Sequence, residues 1–219
     1  MTLMRRSAIG IAAGLALVLG PPGAGAQSPP PIKVGFSSAM TGPSAITGEG
    51  VKWAAQMLAD VYASDRALAP GDLIRFDLGC VYQGYRSDIA RTAVLGTPSG
   101  KQRRYYDAAR DGEQAAIAAM KPGVAVSHIF EVAMRVTREH GMPHYERHHV
   151  GHGIGLEPYD PPTINAATTS ALESGMVFCV ERPYYEHGWG GVQVEDAVEI
   201  TATGARRLTR SSQDLRILG

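Results

Sequence analysis

The sequence predicts an α+β fold, and three observations carry that prediction. Glycine (26) and proline (14) are abundant among 219 residues, which means many turns and few long helices. Short apolar or alternating runs bounded by turn residues read as strands. Only two long stretches after residue 64 carry a helical period. In order, 73–78 reads as a strand, 81–85 as its hairpin partner and 90–95 as a third strand. Residues 101–120 form a helix stopped by Lys121-Pro122-Gly123. Ser127 caps a second helix, which turns Ile129, Phe130, Ala133 and Val136 inward and ends at Gly141. Residues 148–154 are extended, and 176–181, 192–195 and 197–201 are short strands. No repeat at a fixed short period is present.

The N-terminal third has a different style. Residues 1–26 read as an export signal, with Arg5 and Arg6, an apolar run and a small-x-small site at Ala24-Gly25-Ala26 before Gln27. The apolar run is too short for a membrane anchor and ends in Pro21-Pro22-Gly23. An exported, periplasmic location is expected, with the cytoplasm as the alternative. After a Pro-rich linker, 32–36 alternates like a strand and a small-residue loop leads to a helix. Val51, Ala54, Ala55, Leu58 and Tyr62 lie on one face of that helix. This strand–loop–helix opening resembles the start of periplasmic branched-chain amino-acid binding proteins of ABC transporters. The resemblance covers about residues 32–61. The boundary falls near residues 62–64, dividing a segment 27–63 from a domain 64–219.

Formal net charge is zero, with 21 acidic and 21 basic residues and no basic stripe, so no nucleic-acid partner is expected. The two cysteines, Cys80 and Cys179, sit inside strand-like apolar runs. They read as buried reduced thiols in preference to a disulfide.

The acids and histidines after the boundary carry the chemistry. Asp77 stands in Phe76-Asp77-Leu78-Gly79, and Asp88 follows beyond a turn near Gln83-Gly84 that brings the two carboxylates side by side. Carboxylates that close repel, and a divalent cation removes the problem. His152 lies in Gly151-His152-Gly153-Ile154-Gly155, where glycines allow close approach. Glu181 and Glu195 end apolar strands, where an acid has no packing role. Four carboxylates and one neutral imidazole balance two divalent ions, whereas one ion leaves two charges uncompensated. Two adjacent ions bridge a water, lower its pKa and polarise a carbonyl. Oxygen-rich ligands with one nitrogen favour manganese, cobalt or iron over a thiolate-type zinc site, with zinc still possible.

Asp77, Asp88, His152, Glu181 and Glu195, with the Gly-His-Gly-Ile-Gly-Leu-Glu and Val-Glu-Asp motifs, resemble the ligand set of the pita-bread metallopeptidases. The likeness is to the prolidase and aminopeptidase P branch and covers nearly everything after Ser64. It implies a curved antiparallel sheet flanked by helices, incomplete here on its N-terminal side. It further implies that Asp77 binds one ion, that Asp88 and Glu195 bridge both, and that His152 and Glu181 complete the other. Glu181 would also act as general base. A peptide substrate with proline, and a homodimer, are implied too. His148, four residues before His152, stands where the family often has an active-site histidine; the competing reading is a surface histidine beside His144 and His149.

Three departures from the branch stand out. Tyr159 replaces a second histidine seven residues after His152, and Gln193 replaces a frequent arginine two before Glu195. The family's upstream helices and histidine-bearing strand are replaced by the binding-protein-like segment. The expected function is metal-dependent hydrolysis of a peptide or amide bond next to proline. The alternatives are an inactive chimeric relic, or an exported ligand-binding fragment of an amino-acid ABC transporter.

Overall fold

The computed structural model describes residues 67–219. The export signal, the strand at 32–36, the helix at 51–62 and the boundary near residue 63 lie outside the described residues. The described elements are β1 (Leu73–Leu78), β2 (Val81–Tyr82), β3 (Tyr85–Arg86), β4 (Ile89–Leu95), α1 (Gly100–Ala119), α2 (Val126–Glu139) and β5 (Gly151–Gly153). They continue with β6 (Asp160–Thr163), β7 (Val177–Glu181), β8 (Tyr184–Glu186), β9 (Gly190–Val192), β10 (Glu195–Ile200), β11 (Ala205–Arg207) and β12 (Arg216–Leu218). Among the described residues no helix is long and apolar enough to cross a membrane.

The main sheet runs β1-β4-β10-β7-β5-β6, with β11 on β10 and β12 on β4. All its pairs are antiparallel except β12 with β4. The α+β expectation, a curved antiparallel sheet with helices against it, describes this arrangement.

Two strand assignments need correction. The partner of β1 is β4, with Asp77 opposite Ala90, and not residues 81–85. Those residues split into β2 and β3, a separate ribbon. Gln83 (φ 50°) and Gly84 (φ 88°) make its tight turn, the left-handed pair that matches strand twist. Residues 192–195 are also two strands' ends. Val192 pairs with Tyr184 in the β8–β9 ribbon, whereas Glu195 opens β10 in the main sheet. The change of partner happens at Gln193, whose backbone N–H and C=O both bond the Thr92 hydroxyl (2.8 and 3.0 Å).

That junction is a seam. One residue pair, Glu195 with Ala90, joins β10 to β4. Side-chain bonds reinforce it: Arg91 donates to the Glu195 carbonyl (2.7 Å) and to the Asp196 carboxylate (2.5 Å).

The helices cover the face of the sheet that carries Phe178, Val180, Val198 and Ile200. On α1 the buried positions Tyr105, Tyr106, Ala109, Gly112, Glu113 and Ala116 recur at helical spacing. Its start is fixed by a capping box between Ser99 and Gln102. Against α2 it approaches closely at Gly112, where an added methyl would lie 1.9 Å from the Thr137 hydroxyl. The second helix begins at Val126 after Ala125, two residues earlier than a Ser127 cap requires, and has no side-chain cap. The reason is visible: the N–H groups of Val126 and Ser127 bond the carbonyls of Ser170 and Thr168 (both 2.9 Å), so the orphan amides are satisfied without a cap. Ile129 and Ala133 are buried as expected, while Phe130 and Val136 are half-buried. The cysteines form no disulfide; Cys179 is buried, but Cys80 is exposed, contrary to the buried reading.

Candidate metal centre

Strand register builds the site. Residues opposite one another across an antiparallel sheet share a face, and so do residues two apart along a strand. Asp77 is opposite Ala90, Ala90 opposite Glu195, and Glu195 opposite Glu181. Asp88 is two before Ala90, Cys179 is two before Glu181, and Cys179 is opposite His152. All five expected ligands therefore project from one face. The small Ala90 side chain sits among them.

The carboxylate oxygens of Asp88 and Glu195, a nitrogen of His152 and the Cys179 sulfur lie within 4.8 Å of one another. Asp77 and Glu181 flank this group without joining it. The exposed Asp77 carboxylate accepts from Arg75 Nη1 at 2.8 Å. Glu181 Oε1 lies 3.3 Å from His149 Nδ1. That contact lacks hydrogen-bond alignment, and Glu181 Oε1 is a buried oxygen with no hydrogen-bond partner. Burial also holds His149 below the ordinary histidine value, so the ring is not a cation there at neutral pH.

His152 is oriented from two sides. Its Nδ1 is 2.9 Å from the Gly153 carbonyl, which only accepts, so the neutral ring carries its proton there and presents Nε2 as a donor lone pair. Tyr159 stacks on its other surface, with ring centroids 3.9 Å apart and planes 29° apart. Gly151 (φ 148°) permits the strand to lie this close, because a methyl there would meet the Cys179 carbonyl at 2.2 Å.

The electrostatics are those of crowded anions. Burial raises Glu195 to about 10, helped by the charges of Asp88 and Glu181. Burial, then Asp77, raises Asp88 to about 6. Glu181 is raised by burial, with Arg147 and His152 pulling the other way. Burial keeps the Cys179 thiol protonated, and the Glu195 and Asp88 charges add to this. Such a group cannot ionise fully without added positive charge. The donor set, its shared face and the unpaired Glu181 oxygen fit divalent ions held by oxygen and nitrogen.

His148 is exposed, and it is His149 that approaches Glu181. Sequence reasoning also passed over Cys179 and Arg75. Both stand two residues before an expected ligand, at Glu181 and Asp77, so the strand period alone places them on the site's face.

Comparisons with known proteins agree in kind. The profile of metallopeptidase family M24 matches residues 44–202, starting inside the segment assigned above to 27–63. An Xaa-Pro dipeptidase of Pyrococcus furiosus is 40% identical over 153 residues, which is 70% of this chain and 44% of that protein. Dipeptidase PepE from Mycobacterium ulcerans superposes with a TM-score of 0.67 at 35% identity, over 71% of this chain and 42% of that one. The prolidase structure from Pyrococcus furiosus gives 0.64 at 40% identity, over 68% and 44%. This chain thus spans less than half the length of these relatives. Over most of its length it belongs to metallopeptidase family M24 and carries that family's pita-bread fold.

Proposed function

We propose that this chain hydrolyses the peptide bond before proline in Xaa-Pro dipeptides, using two divalent ions. The single observation that carries the reading is the convergence of Asp77, Asp88, His152, Glu181 and Glu195 on one sheet face. The Pyrococcus furiosus relative is named an Xaa-Pro dipeptidase and the Mycobacterium ulcerans one a dipeptidase, which supports the reading. Asp77, Asp88, His152, Glu181 and Glu195 would hold the ions, with Asp88 and Glu195, central in the cluster, shared between them, Asp77 serving one ion and His152 with Glu181 the other. Manganese, cobalt or iron suits the donors, and zinc is an admissible substitute. Bound ions supply a water of lowered pKa and polarise the scissile carbonyl.

The chain's own residues do the rest. Glu181 holds an unpaired oxygen on the site's face, suited to take a proton from the attacking water and pass it to the leaving amine. Tyr159 keeps the His152 ring in place and offers a hydroxyl that donates a hydrogen bond but does not become a cation. A homodimer, and export through the 1–26 leader, belong to the same reading. Mass spectrometry of exported protein should find Gln27 first.

The test uses purified full-length chain, stripped with chelator and reloaded with manganese, assayed on Ala-Pro. Hydrolysis should require the metal, and Glu181→Gln should keep part of the bound metal, held by Asp77, Asp88 and Glu195, while losing about 100-fold or more in kcat even at saturating manganese. Metal bound by the wild type without any hydrolysis would favour a non-catalytic chimera. No bound metal at all would refute the site.

A further inference from the structure

We infer that Cys179 is a further metal ligand, which with Asp88, His152 and Glu195 forms a four-donor pocket for a single thiol-seeking divalent ion of the cadmium class. The inference rests on the metal-centre reading of these residues and not on the dipeptidase activity. Nothing in the five-residue ligand motif includes Cys179.

Cys179 lies in the middle of β7, a strand paired on both sides, opposite Ala197 of β10 and His152 of β5. It is fully buried, and it stands two residues before Glu181, so its sulfur shares the face of the metal centre. No strong contact competes for the thiol: its hydrogen bond is a long one, 3.9 Å to the Asp88 carbonyl. The donor atoms of Asp88, His152, Cys179 and Glu195 lie within 4.8 Å of one another. A tetrahedral zinc site keeps its donors roughly 3.3–3.8 Å apart, and the larger cadmium ion keeps them further apart, so modest turns of the two carboxylates close the set around one ion. Asp77 and Glu181 stay outside it, and each keeps a positive neighbour. Arg75 pairs with Asp77 at 2.8 Å, and the Arg147 charge bears on Glu181.

The donor types decide which ion. Sulfur with one nitrogen and two oxygens in a tetrahedral set suits a soft ion, whereas manganese prefers carboxylates and water. The thiol proton passes to water as the sulfur binds, since coordination to such an ion ionises a thiol outright. A thiolate and two carboxylates then leave one negative charge beyond the ion's own, fewer than the two left by four thiolates around zinc. An ion held this way has no open position. A catalytic site needs one for water, and here side chains fill all four. Asp88 and Glu195, the ligands shared between the paired ions, are taken up by the single ion as well. One thiol-seeking ion therefore excludes the pair and silences the centre, and Cys179 sets which metals the chain tolerates.

The experiment titrates metal-stripped full chains with cadmium and, separately, with manganese. Calorimetry gives affinity and stoichiometry. Ultraviolet absorption shows the sulfur-to-cadmium charge-transfer band, which appears only when a thiolate binds the ion. The chains are wild type, Cys80→Ser, Cys179→Ser and Cys179→Ala. Wild type should take up one cadmium per chain with the band. C80S should do the same, which excludes the exposed Cys80 as its source. C179S and C179A should lose the band and bind cadmium about 100-fold or more weakly, since changes to residues that merely touch a ligand already cost about 10- to 100-fold. Their manganese affinity should fall far less. A wild type that binds cadmium without the band, or a band that disappears in C80S, would overturn the inference. The wild-type and C80S spectra give that answer even where both Cys179 variants are too unstable to purify. Manganese that binds and supports hydrolysis, with no cadmium band, sinks this inference and leaves the dipeptidase reading standing. A cadmium band in a chain that binds no manganese does the reverse.

Discussion

Glu195 is 2% exposed, faces other carboxylates and has its proton affinity raised to about 10, against an ordinary 4.5. Asp88 beside it is raised from 3.8 to about 6. The sign of the linkage follows. A carboxylate held above its unfolded value favours the fold below that unfolded value, and the benefit fades as pH climbs through the folded one. The metal-free chain should therefore lose thermal stability steadily between about pH 5 and 8, as the unfolded acids shed protons that folded Glu195 retains. Divalent ions select the ionised form, so the stabilisation they add should grow over the same range. Melting curves at several pH values, with chelator and with manganese, measure both slopes. A metal-free melting temperature that stays level, or rises, over that range would contradict the crowding of acids described here.

At the scale of elements, the sequence displayed the ligands more fully than the strands that present them. Each of Asp77, Asp88, His152, Glu181 and Glu195 sits in a recognisable local motif. Pairing is a different matter. The return of β1 to β4 across the β2–β3 ribbon depends on contacts between distant residues, and no local pattern states it. The start of α2 differs from the sequence expectation for a similar reason: Ser127 looks like a cap, but carbonyls of residues 168 and 170 satisfy the first amides of the helix from afar. His148 and His149 are adjacent, and only the fold says which one approaches Glu181. The helix pair offers a test of packing. Gly112 of α1 meets Thr137 and Ala133 of α2 without space for a methyl. Gly112→Ala should force the helices apart and cost about 1–3 kcal/mol in urea denaturation, even though alanine is the better helix former. An unchanged or increased stability would show that the contact yields easily.

For the whole described domain, the seam between β4 and β10 governs how the two parts of the sheet act together. Strands β1 and β4 lie on one side; β10, β7, β5 and β6 lie on the other. Asp77 and Asp88 come from the first side, and His152, Glu181 and Glu195 from the second. Ions held as proposed fasten both sides across a line with a single paired residue, Glu195 with Ala90. Amide hydrogen exchange at residues 88–92 and 193–196 should slow by about tenfold or more with manganese, while exchange in the centre of α1 changes less. Uniform slowing throughout would mean that metal raises only global stability. The seam also has a cellular consequence. A sheet that parts locally when its clasp is missing exposes backbone to proteases, and turnover follows the open fraction. Cells short of the metal would then hold less of this protein at an unchanged rate of synthesis, so its abundance would track metal supply.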